Sequence, residues 1–144
     1  PGPAGPTGAP ETLAMLPVHH MIAGGPRPVA PFSHAVEADG WVFVTGQMPT
    51  DPAAPDAALP EGIVAQTRRV MDNLIIVLEG LGLGLANVTM ARVYLTDFHR
   101  DYAQMNAAYA AYFPEDQRPA RTCIGVSGLA LHALVEIDLV ARRP

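Results

Sequence analysis

The sequence predicts an α/β sandwich, with two helices packed on one face of a mixed sheet. Two observations carry that prediction. Apolar residues recur at helical spacing in two segments and alternate, strand-like, in the others. The elements run β-β-α-β-α-β-β, and 144 residues suit a single domain.

The chain opens on "PGPAGPTGAP", a Pro/Gly-rich stretch expected to be flexible. "LAMLPVHHMI" is a candidate edge strand that Pro17 weakens. These lie in an N-terminal segment, residues 1–28, set apart from a folded domain over residues 29–144. "GGPRPVAP" reads as a loop. "FSHAVEADGWVFVTGQ" then reads as a β-hairpin, because Asp39-Gly40 is a strong tight-turn signal between Ala35-Val36 and Trp41–Thr45. "MPTDPAAPDAALPEG" is a long polar loop. From Ile63 to Leu81 the period becomes helical: Ile63, Val70, Leu74, Val77, Leu78 and Leu81 fall on one stripe. Arg68, Arg69, Asp72 and Asn73 fall off it. Gly80, Gly82 and Gly84 end that helix. "ANVTMARVYLTD" is a strand. "FHRDYAQMNAAYAAYF" is a second helix with Tyr102, Met105, Tyr109, Tyr112 and Phe113 on one face, and Pro114 stands just beyond it. "RTCIGVS" and "ALVEIDLVA" are the closing strands.

Composition excludes some partners. Net charge is −5 and all nine basic residues are arginine, so a nucleic-acid backbone is not expected as the main partner. No window is apolar enough to cross a bilayer, so no membrane partner is expected either. Hydrophobic residues reach 49 % against 16 % charged, which favours an oligomer that covers apolar surface with another copy. The single cysteine, Cys123, forms no intrachain disulfide and fits a reducing compartment. No signal peptide is visible at the start. A cytoplasmic location is therefore expected.

Arg121 heads the penultimate strand, where it shares a face with Cys123, Gly125 and Ser127. An unpaired cation inside an apolar strand is costly, so it either has a fixed acidic partner or receives an anion from solution. In the last strand Val135, Ile137 and Leu139 form an apolar face, and Glu136 and Asp138 point the other way. An ion pair or a solvated sheet face would account for these charges without any function. If "SGLALHA" is a simple turn, Glu136 lies opposite Gly125, and Arg121 is about 13 Å away. That is too far for a pair within one chain and favours a carboxylate or an anionic ligand from outside it. Asn106 sits beside Tyr102 and Tyr109 on the second helix. Its amide either bonds a neighbouring loop or orients a ligand. His19 and His20 are adjacent and make a poor metal pair, and His99 and His132 read as surface residues, so no metal site is expected. Cys123 lacks a histidine in a nucleophile arrangement.

Four stretches in order resemble the reactive-intermediate deaminase (RidA-like, YjgF/UK114) family. "PFSHAVEADGWVFVTGQMPTD" is similar to its opening pattern P-Y-S-x-A-V followed by F-x-S-G-Q-x-P. "QTRRVMDNLIIVLEGLG", "NAAYAAYF" and "RPARTCIGVSGLALHALVEIDLVA" are similar to its helix, its Asn-containing helix and its closing signature. The likeness runs from about Pro31 to Ala141 and makes residues 29–144 a RidA-like domain.

The resemblance implies a chorismate-mutase-like homotrimer with ligand clefts between subunits. It implies hydrolysis of 2-imino acids, such as the imine form of 2-aminoacrylate, to 2-keto acids and ammonia, with no metal or organic cofactor. Carried over by position, Arg121 would grip the substrate carboxylate and Glu136 would orient or activate water. Phe32, Ser33, Thr45, Gly46, Asn106 and Cys123 would frame the cleft. Phe32 stands where the family has tyrosine, Thr45 where it has serine, and His34 where it often has glutamine. "GLAL" lacks the family's following proline. These departures keep open a non-catalytic trimer that binds small carboxylates or acts as a chaperone-like scaffold. A pathway-specific deaminase of the aminomuconate type is a further alternative.

Overall fold

The computed structural model describes residues 16–144. The first fifteen residues of the Pro/Gly-rich segment lie outside the described residues. Six strands form one sheet: β1 (Val18–His20), β2 (Ala35–Ala38), β3 (Trp41–Gln47), β4 (Val88–Leu95), β5 (Ala120–Gly125) and β6 (Val135–Arg142). Two helices, α1 (Ile63–Gly80) and α2 (Phe98–Ala110), complete the mixed α/β architecture. The strand order is β1-β2-β3-β6-β4-β5. All pairs are antiparallel except β4 with β5. Within the N-terminal segment, Val18–His20 is an edge strand on β2.

The local signals explain most elements. Asp39 and Gly40 take φ of 52° and 80°, the conformation a tight hairpin turn needs. The predicted stripe of α1 is buried throughout. That helix ends as its glycines foretell: the Gly82 N–H donates to Glu79 O and the Leu83 N–H to Leu78 O, at 3.0 and 2.9 Å. Asp97 caps α2 by accepting from the Arg100 N–H. In β4 the buried set is Val88, Ala91, Val93 and Leu95, which is not a strict alternation. A register irregularity between Val88 and Met90 shifts the pleat.

Two expectations need correction. The last two strands are not a hairpin. β4 lies between them, and β5 runs parallel to it; a parallel pair needs a long crossover, here through α2. Asn73 is not on the solvated side of α1. It is fully buried, and its Nδ2 donates to the carbonyls of Met48 and Thr50 at 2.9 and 2.8 Å. The polar loop after β3 has no ladder of its own there, so a side-chain amide satisfies its carbonyls.

The core lies between the helices and one sheet face. It includes Val42, Val44, Val70, Leu74, Val77, Leu78, Val93, Ile137 and Leu139. The other face carries Trp41, Phe43 and Ile124, all 41–50 % exposed. Replacing Asn73 by Ala strands two buried carbonyls. It should cost about 2–3 kcal/mol of unfolding free energy, read from the urea midpoint at unchanged m-value.

Candidate functional site

The sheet order decides where each candidate points. Directly paired residues share a face. Arg121 pairs with Ala91, and Ala91 with Leu139, so Arg121 stands on the face that α2 covers. Glu136 pairs with Tyr94, and Tyr94 with Ile124, so Glu136 stands on the open face. With β4 between their strands, the two Cα atoms are about 14 Å apart at ordinary strand spacings. The single-turn geometry expected from sequence is thus replaced, and the two groups remain too far apart to meet in one chain.

Around Arg121 the structure assembles a cleft of about 260 Å³, lined by Asn106, Tyr109, Ala110, Arg118, Pro119 and Arg121. The Arg121 guanidinium carbon lies 5.1 Å from the Tyr109 ring centroid and 5.9 Å from that of Tyr102. These are cation–π distances. One Nη contacts Met105 Sδ at 4.0 Å, and the other approaches the Tyr102 hydroxyl at 3.5 Å. Among the described residues no carboxylate lies within 4.0 Å of it. The described residues therefore supply no fixed acidic partner for it. Asn106 Oδ1 and the Tyr109 hydroxyl are buried without a partner. Burial pushes the Tyr109 hydroxyl's pKa up, against the pull of Arg121 and Arg118, so it remains a proton donor. Cys123, on the same pleat as Arg121, is half-buried, and burial raises its pKa although Arg121 opposes the shift. It is a thiol lining the strand and not an activated thiolate.

On the other face a second group gathers. The Thr45 hydroxyl donates to Ser33 O at 2.6 Å, and the Thr45 N–H donates to His34 O at 3.0 Å. A Cβ on Gly46 would collide with Glu136 Oε2, so glycine is what lets the carboxylate lie against the β3 backbone. Phe32 and Gly46 share a small recess with Gln47 and Met48. His34 takes up no ligand position. It is 3 % exposed, accepts from the Ile22 N–H at Nδ1 (2.8 Å) and donates from Nε2 to Pro26 O (2.6 Å). That fastens the loop carrying Phe32 and Ser33.

Glu136 is half-buried, and desolvation, followed by the charge of Asp138, raises its pKa. Asp138 accepts from Arg92 Nε at 2.8 Å and from the Tyr94 hydroxyl at 2.9 Å. These contacts fix the Asp138 carboxylate beside Glu136. Arg92, Tyr94, Tyr109 and Arg118 escaped sequence reasoning as site residues. The signal for Tyr109 was its place three residues after Asn106, and for Arg118 its place three before Arg121. Among the described residues no group of His, Cys, Asp and Glu could hold a metal ion, and His20 instead contacts Glu37 at 3.1 Å. No described helix is long and apolar enough to cross a membrane.

A family model described as endoribonuclease L-PSP matches residues 23–143. The chain belongs to this family, the RidA-like (YjgF/UK114) proteins. A RutC family protein of Synechocystis is 39 % identical over 124 residues, covering 86 % of this chain and 95 % of that protein. The 3-aminoacrylate deaminase RutC of Acinetobacter baylyi is 40 % identical over 118 residues, covering 82 % and 91 %. The crystal structure of RidA from a Psychrobacter species aligns with a TM-score of 0.78 at 31 % identity, covering 85 % and 98 %. The fold of this RidA-like chain is thus that of its family.

Because the folded state holds the Glu136 proton to higher pH than the unfolded chain, this group's contribution to stability is full below its unfolded pKa. It is lost as pH rises through the folded value. In a carboxyl ¹³C NMR titration, Glu136 should titrate above an ordinary glutamate. Asp138→Asn should bring its midpoint part of the way down, since burial remains; an unmoved midpoint would rule out the Asp138 contribution.

Proposed function

We propose that this protein is an enamine/imine deaminase that hydrolyses 2-imino acids, such as the imine of 2-aminoacrylate, to 2-keto acids and ammonia. The observation that carries the reading is a guanidinium with no carboxylate within 4.0 Å among the described residues, at the wall of a cleft with two unpartnered polar atoms. An anion completes such a site, and arginine offers a planar fork suited to a carboxylate.

The reaction needs the second group as well. Water adds through oxygen to the imine carbon, the carbon–nitrogen bond breaks, and nitrogen leaves as ammonia. Arg121 would hold the carboxylate and draw charge from the neighbouring carbon. Glu136, with its raised pKa, would hold the water and pass protons to the departing nitrogen. Since one chain sets these groups on opposite faces, the working site would form where the open face of one copy meets the Arg121 cleft of the next. A closed homotrimer would supply such seams and would cover Phe43 and Ile124. A net charge of −5 and the absence of lysine speak against an RNA backbone as partner.

The similarity to a protein named 3-aminoacrylate deaminase adds that enamine as a second candidate substrate, since it also carries a carboxylate in conjugation with its amino group. An assay that releases each intermediate in the presence of the protein should show faster keto-acid or aldehyde-acid formation. Arg121→Ala and Glu136→Gln should each reduce the acceleration by about tenfold or more. Light scattering on the same samples should give three copies per particle. If wild type matches the protein-free rate with both substrates, the protein is not this enzyme.

A further inference from the structure

We propose that the cleft selects 2-imino acids carrying a second carboxylate, with Arg121 holding one anionic group and Arg118 and the Tyr109 hydroxyl holding the other. This deepens the deaminase reading and rests on it for the reaction, though not for the binding.

Arg118 and Arg121 line the same space, and among the described residues neither has a carboxylate within 4.0 Å. Four other arginines, Arg27, Arg92, Arg100 and Arg143, are each matched to an acid. The two cations line one cleft, and one monoanion leaves one of them uncompensated. Arg118 is extended, with φ −77° and ψ 135°, and leads into β5. Three extended residues separate the two Cα atoms by about 10 Å. Two forks based that far apart can each engage one end of a four- or five-carbon chain.

Tyr109 lines the same cleft and is 5 % exposed. Its hydroxyl has no partner, and both arginines act on it electrostatically. A buried hydroxyl without a partner is costly, and at a cleft lined by two cations an oxygen anion is the partner that would satisfy it. Asn106 Oδ1, the other unpartnered atom, accepts from a donor such as an imine N–H. The set is thus two cations, one neutral donor and one acceptor. A 2-imino dicarboxylate offers two carboxylates and one N–H. Hydrolysis is unchanged in balance: water oxygen joins C2, the C2–N bond breaks, ammonia leaves, and the distal carboxylate passes through untouched.

The test uses the full chain and stable product analogues. Calorimetric titration should show 2-oxoglutarate binding about tenfold tighter than 2-oxobutanoate, and Arg118→Gln should abolish that preference while Arg118→Lys retains part of it. Circular dichroism of each variant confirms folding. Equal affinities for the two acids, or a preference that Arg118→Gln leaves intact, would overturn the proposal. Parallel assays with 2-iminosuccinate and 2-iminopropanoate, formed in place by amino-acid oxidases, separate the two ideas. If neither imine is hydrolysed faster yet the Arg118-dependent preference persists, the deaminase reading fails and the dicarboxylate site stands.

Discussion

The parallel pairing of β4 with β5 is the constraint on which the rest depends. Parallel neighbours cannot be joined by a tight turn, so the chain must cross over the sheet, and it does so through α2. That crossover lays Asn106 and Tyr109 beside Arg121. It also leaves β6 to pair with the far side of β4, which carries Glu136 to a different strand interval and to the opposite face. One topological choice thus makes the Arg121 cleft and keeps Glu136 out of it.

The two faces then differ in how their charges are balanced. On the open face Asp138 is satisfied by Arg92 and Tyr94, and Glu136 is left half-buried with a raised proton affinity. At the cleft no described carboxylate lies within 4.0 Å of Arg118 or Arg121, and Arg121 lies instead against the rings of Tyr102 and Tyr109, which accept a cation without neutralising it. The cleft side thus carries two cations, and the open side a half-buried carboxylate. Their complementarity is what an assembly of copies would use.

Precision at the β3 end comes from groups far from any chemistry. Asn73 ties the loop after β3 to α1, and His34 ties the segment before β2. Arg143 joins Glu37 at 2.7 Å to the end of α1 through Leu81 O at 2.8 Å. Each satisfies backbone or charge that would otherwise be stranded, and His34 also accepts from the Thr45 N–H through its carbonyl.

The sequence by itself determined the elements: the stripe of α1, the Asp39-Gly40 turn, the alternation of β6 and the glycines after Gly80 are local signals, set by side-chain period and backbone preference. It also marked Arg121, Glu136 and Asn106, because a cation, an acid and an amide on apolar elements stand out whatever surrounds them. Only the tertiary structure decided that β4 separates β5 from β6, that Asn73 is buried, and that Arg118 and Tyr109 share a cleft with Arg121. Strand order and the meeting of side chains from distant segments are non-local: many pairings satisfy the same periodicity, and the choice among them is made by how the whole core packs.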